Sequence, residues 1–249
     1  MVFKIFLMQQ QIYPIYLELC LRPVYLYALM DTYLKKIQNI VPPNLYGKSK
    51  VIGEEKVRES QIECDWVIVR PTSIWGPWFE HSYKTFFRVL DKGWYVQPGH
   101  EKIVKPLSFV GNTVHMMQKL LFFKGSEVSH QTFYLGDSPQ HSIQEWADLI
   151  RTELGKPGKT PVFPIAGLRL MAKIGDTLKL LGWNDPPLTS FRLNNMLTGA
   201  HYPIEKTQTV VGELPFSLKE GVQQTLEWMA QEGLIQNKSS LTKNNYFNP

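Results

Sequence analysis

The sequence has 249 residues, 43% of them hydrophobic and 20% charged, with a formal net charge of +5. That is an ordinary globular composition, enough for one large domain or two small ones with a sizeable core. The positive charge is spread thinly over lysines such as Lys35, Lys36, Lys48, Lys56, Lys84, Lys119 and Lys124. With no dense basic run and no binding motif, a nucleic-acid partner is not expected, whereas an anionic small ligand is compatible.

Two cysteines, Cys20 and Cys64, stand without a CxxC or a histidine cluster. They give neither a disulfide framework nor a zinc site, so no metal is expected and a reducing, cytoplasmic setting is the default. The apolar region IYPIYLELCLRPVYLYALM, 12–30, is interrupted by Pro14, Glu18, Arg22 and Pro23. It falls short of the ~20 apolar residues that a membrane span needs. The opening MVFKIFLMQQQ has no small-residue cleavage site, so it is not read as a signal peptide. A peripheral membrane contact stays open.

In chain order, residues 44–60 are predicted helical, and WVIVRP at 66–71 is a β-branched run ending at a proline, the sign of a buried strand. TSIWGPW, with Gly76 and Pro77, is expected to be a loop. A helix over 79–93 stops at Gly93. An extended stretch over 103–110 is followed by a helix over 111–125, with Asn112 or Thr113 available as its cap. A strand over 131–137 then feeds a helix over 142–155, where Ser142 and Glu145 have capping-box spacing. After the extended TPVFPI, helices are expected over 166–182, 188–199 and 217–233, the last capped by Ser217 with Glu220 three residues on. Strands alternating with helices predict an α/β fold with a mostly parallel sheet. Residues 238–249 are polar enough for a frayed tail.

The stretch NLYGKSKVIGEEKV, 44–57, puts Tyr46 and Lys50 four apart on one predicted helix face. A cation beside a phenol favours the phenolate and lowers the tyrosine pKa from ~10 toward the range of a general acid/base. Such a tyrosine can take or give an alcohol proton. Lys50 can also donate to the ribose hydroxyls of a nicotinamide cofactor. Gly47 and Gly53, each costing a helix about 1 kcal/mol relative to alanine, suit a close backbone approach. A Tyr and a Lys at this spacing also arise by chance, so the surrounding residues decide.

Those residues, YGKSKVIGE followed by RPTSIWGPW after the next strand, resemble the extended short-chain dehydrogenase/reductase family, in particular its nucleotide-sugar epimerases and dehydratases. The family pattern is YGxSKxxxE and then RPxxxxGP. KPLSFVGNTVHMMQKLL and TFYLGDSPQHSIQEWADLI also look like family segments, so the resemblance covers roughly 44–155. It implies an incomplete Rossmann-like parallel sheet, a helix-rich substrate lobe and NAD or NADP as cofactor. The implied substrate is a nucleotide sugar or similar hydroxylated molecule, and the implied chemistry is proton transfer coupled to hydride transfer. It assigns Tyr46 as the acid/base and Lys50 as its ribose-binding partner. Pro71 and Ser73 match positions lining the nicotinamide and substrate cleft, an ordinary loop being the alternative. Lys105 falls where many members hold the substrate diphosphate with an arginine; lysine keeps the charge without the bidentate geometry, and a solvated lysine is the other reading. Trp75 and Trp78 suit the walls of a sugar or base pocket, or buried packing.

The sequence departs from the family before the tyrosine. Intact members carry a first strand, a GxxGxxG turn and a helix whose N-terminus binds the pyrophosphate; no GxxGxxG occurs in this sequence. The family's catalytic Ser or Thr also has no match, since Thr32 is the sole non-tyrosine hydroxyl before Ser49. The expected organisation is an atypical leader over 1–38, the rest of a NAD(P)-binding domain over 39–155, a substrate lobe over 156–236 and a tail over 237–249. Natural truncation, a mis-set start and one half of a split enzyme are all consistent with this departure, and the expected partner is a homo-oligomer or a complementary chain. The alternative is an inactive family member acting as an interaction module.

Overall fold

The computed structural model describes residues 15–17, 25–28, 45–60, 64–79, 82–156, 158–183, 186 and 188–235, with the side chains of 15–17, 25–28, 45, 46 and 82 left undescribed. The predicted leader and tail lie almost wholly outside them, as do Thr32 and Cys20.

The chain divides into two compact units that interleave along the sequence: residues 1–80, 106–140 and 202–221 in the first, and 81–105, 141–201 and 222–249 in the second. The first is built on a sheet in the order β1-β2-β3-β7, from Ile15–Leu17, Tyr25–Ala28, Trp66–Pro71 and Gln131–Leu135. β1 runs antiparallel to β2, while β2, β3 and β7 run parallel. This is the expected α/β class with a parallel sheet.

β3 explains why the sheet is covered on both faces. Side chains alternate across a strand, and WVIV has no polar alternate. Trp66 and Ile68 pack with Val57 of helix α1, Leu45–Glu59. Val67 and Val69 point the other way, joining Phe133 and Leu135 of β7. That second layer continues through Met116 and Leu120 of α3, Val110–Leu121, and Val211 of α7, Glu205–Val211. Ile68 and Val69 are fully buried, worth roughly 1.5–3 kcal/mol each relative to exposure.

Three local expectations are corrected. Ser73–Trp75 is strand β4, paired in parallel with β6, Leu107–Phe109, so TSIWGPW becomes a turn only at Gly76. Helix α3 begins at Val110 with no side-chain cap. Asn112 donates instead to Asp137 and the Phe216 carbonyl, and Thr113 to the Phe109 carbonyl. Helix α7 was not anticipated; its Thr207 hydroxyl bonds the Tyr134 carbonyl and ties it to β7.

In the second unit, α2, Ser82–Asp91, packs on α4, Ile143–Glu153, through a ring cluster in which Phe86 stacks on Trp146 with centroids 5.0 Å apart. The Ser142–Glu145 capping box forms as predicted. Strands β5, Gln97–Pro98, and β8, Val162–Phe163, pair in parallel. Helices α5, Ile165–Leu180, and α6, Ser190–Leu197, share a small core of Leu168, Ala172 and Leu193. The last helix, α8, spans Leu218–Gln231, with Leu218–Gly221 counted in the first unit and the rest in the second; at its start Ser217 accepts from the Glu220 amide, the predicted cap.

Candidate active site

Helix α1 carries Tyr46, Lys50 and Glu54 at successive intervals of four, one face of a helix. The Tyr46 side chain lies outside the described residues. Lys50 is half-buried, and burial pulls its ammonium below the usual lysine range. Glu54, one turn further on, is buried and holds three charge-assisted bonds: Arg70 donates Nε to Oε1 at 2.7 Å and Nη2 to Oε2 at 2.8 Å, and Arg58 also donates to Oε2. Arg70 in turn donates to the Tyr134 hydroxyl on β7. Two parallel bonds to a buried carboxylate fix direction as well as distance. Because Arg70 is the penultimate residue of β3, this clasp sets the height of α1 against the sheet. In parallel α/β layers, ligands bind beyond the carboxyl ends of the strands, and the N-terminal half of α1, with Tyr46 and Lys50, lies toward that end.

At that end β3 closes with buried Pro71. The Thr72 amide still donates to the Leu135 carbonyl of β7 at 2.8 Å, and the Ser73 amide to the Pro106 carbonyl at 3.3 Å as β4 begins. Thr72 is buried, yet its hydroxyl has no hydrogen-bond partner among the described residues. Ser73 is half-buried. Trp75 is wholly buried against Phe109, ring centroids 5.2 Å apart. It therefore backs the loop from inside. Gly76 takes φ +143°, and a Cβ there would lie 2.5 Å from Val110 Cγ1. Trp78 is the opposite of Trp75: the residue is 62% exposed and sits at φ +62°. A bulky residue with positive φ stores strain that marks functional loops more often than plain ones.

Behind the loop, Asp137 accepts from the Phe109 amide at 2.7 Å and from Asn112 Nδ2 at 2.9 Å. Burial pushes its carboxyl up to about 6 against the pull of those two donors. Lys105 belongs to the second unit, where its ammonium donates to the Asn195 carbonyl at 2.6 Å and burial lowers its pKa. The structure thus gathers Lys50, Pro71, Thr72, Ser73, Trp75 and Trp78 in the first unit and places Lys105 in the second. Glu54 and Arg70 were not singled out from sequence, although both stand inside the two quoted motifs.

No protein-family model matches the chain. Among curated proteins, an N-acetyl-α-D-glucosaminyl-diphospho-ditrans,octacis-undecaprenol 4-epimerase of Escherichia coli O157:H7 is 22% identical over 191 residues. That match covers 75% of this chain and spans 57% of the relative's length. Solved structures agree in fold. Bordetella bronchiseptica WbmH, crystallised with NAD+, superposes with a TM-score of 0.52 at 19% identity, over 84% of this chain and 62% of that one. The resemblance to the epimerases of the extended short-chain dehydrogenase/reductase family holds. For a Bacillus cereus UDP-glucuronic acid 4-epimerase solved with UDP-glucuronic acid and NAD, the TM-score is 0.54 at 14% identity, covering 84% and 62%. Human epimerase family protein SDR39U1 with NADPH gives 0.58 at 14% identity, covering 84% and 67%. This chain shares their Rossmann-like fold.

Proposed function

We propose that the chain is the proton-transfer and substrate-binding part of an NAD(P)-dependent epimerase or dehydratase whose substrate is a sugar diphosphate ester. The observation that carries this reading is the Glu54–Arg70 clasp, which holds the Tyr46/Lys50 helix in fixed register on the strand that ends in Pro71. The site fits the nicotinamide half of the cofactor. The buried Thr72 hydroxyl has no partner among the described residues at the carboxyl end of the sheet, where a carboxamide or ribose could meet it. The sequence has no GxxGxxG to cradle the pyrophosphate half. When bound, the cofactor supplies reversible hydride transfer.

The protein's residues supply the rest. Tyr46 takes the proton of a sugar hydroxyl and returns it to the same oxygen after the carbon centre has changed hands. Lys50 keeps its ammonium beside that face, favouring the phenolate and donating to ribose oxygens. Pro71 and Ser73 form the floor next to the reacting carbon, and Trp78, exposed on the same loop, is the proposed contact for a sugar or base. Lys105 donates to the Asn195 carbonyl; its proposed role toward a substrate phosphate rests on the resemblance alone. A nucleotide sugar is the first substrate class to try; the E. coli relative's name adds a polyprenyl-diphosphate sugar as the second.

The test is calorimetry with NAD and NADP, followed by turnover of both substrate classes by the chain and by Tyr46→Phe. Saturable binding and a loss of about 10²–10⁴-fold in Tyr46→Phe support the mechanism. Turnover insensitive to that substitution removes it. Absence of any dinucleotide binding favours the second reading, an interaction module that keeps the fold without the cofactor.

A further inference from the structure

Helix α5 carries two apolar stripes where a helix at a protein surface ordinarily carries one. The first, Leu168, Ala172 and Gly175, is buried; a Cβ on Gly175 would strike the Leu188 carbonyl oxygen at 1.8 Å, so this side is packed as closely as a helix can be. The second runs through Leu170, Ile174 and the C-cap residue Leu181, spaced four and seven apart, with Met171 beside them. These residues are 64%, 54%, 78% and 51% exposed. Trp183, just past the helix end, is half exposed too.

Charge decides what would cover this face. Arg169 and Lys173 flank the stripe, both exposed, and Lys179 follows. The single acid of α5, Asp176, accepts from the Ser190 amide at 3.1 Å, and three bases less one acid leave the helix at +2. A second copy meeting this face across a two-fold axis would bring Lys173 and Arg169 toward their own like charges. A negatively charged lipid surface is complementary to both features at once: the apolar stripe enters the headgroup boundary and the cations meet phosphates. Tryptophan at the end of the stripe suits the same boundary. Among the described residues no helix is long and apolar enough to cross a membrane, so the contact is one of lying on the surface.

We propose that α5 docks the second unit on an anionic membrane through Leu170, Ile174 and Leu181, with Arg169 and Lys173 as its electrostatic partners. The inference is independent of the catalytic reading. The full chain is sedimented with vesicles of phosphatidylcholine alone and of phosphatidylcholine containing one quarter phosphatidylglycerol. Expected is binding to the second kind only, weakened about ten-fold or more by Lys173→Glu and lost in Ile174→Ser/Leu181→Ser, with the circular dichroism of both variants unchanged. No binding to either vesicle overturns the proposal, as does binding that both variants leave intact. A dimer in sedimentation velocity that Ile174→Ser dissolves, with no vesicle binding, assigns the face to a second copy and overturns it equally.

Discussion

Arg70 grips Glu54 with two parallel bonds, Nε to Oε1 at 2.7 Å and Nη2 to Oε2 at 2.8 Å, and so joins β3 to α1 one helical turn beyond Lys50. The pair is nearly removed from solvent, with Glu54 the more deeply buried partner. A carboxylate so placed is satisfied only while its donors remain.

Arg70→Ala leaves Glu54 with Arg58, which is partly exposed. Urea denaturation should show a loss of about 2–3 kcal/mol. Arg70→Lys should recover only part of it, since an ammonium cannot bond both oxygens in the plane. Equal stability of the lysine and arginine forms would show that the fork geometry does not matter.

The Asp137 carboxyl gives the protein a pH term of unusual sign. Its folded pKa, about 6, lies above the ordinary 3.8 because burial outweighs the bonds from Phe109 and Asn112. Between those values the folded state holds the proton and the unfolded state does not, so this group's contribution is greatest at low pH. It is lost as pH rises through about 6, a change on the order of 3 kcal/mol. The Asp137 carboxyl carbon resonance should titrate near pH 6. Asp137→Asn should flatten stability against pH over that window; an unchanged slope would contradict the assignment.

Gly76→Ala meets two obstacles, φ +143° and the Val110 methyl at 2.5 Å. A cost of about 1–3 kcal/mol is expected in thermal unfolding, with the packing of Trp75 on Phe109 disturbed and its near-ultraviolet dichroism reduced. A variant as stable as the parent would mean that the loop has a second conformation open to it.

For an active chain, Lys50→Met should do more than slow turnover. If Lys50 favours the phenolate as proposed, removing the cation moves the acidic limb of the pH–rate profile to higher pH. A merely structural lysine would lower the rate and leave the limb in place.

What the sequence revealed was local. The buried strand at 66–71, the Ser142–Glu145 box and the Ser217 cap depend on residues a few positions apart, and all three form. Helix α3 misled because Asn112 suits a cap by type, while the structure gives it to Asp137 and Phe216, far away in the chain. Strand β4 was hidden for a related reason: three residues before a Gly-Pro turn have no periodicity, and only β6 makes them a strand. Glu54 and Arg70 sat in view within their motifs, but ion pairing across the α1–β3 connection has no signature in spacing. The interleaving of the two units likewise depends on contacts between segments far apart in the chain, which leave no local signature.

Val67 on β3 pairs with Gln131 on β7, a separation of 131 − 67 = 64 residues along the chain. A ribosome adding roughly 5–20 residues per second needs several seconds to deliver the second strand after the first. Throughout that interval WVIV is out with one edge unpaired and its β7-side partners unmade. The newborn protein therefore has a timed window of stickiness, and an expression host short of chaperones would meet it first as aggregation at this strand.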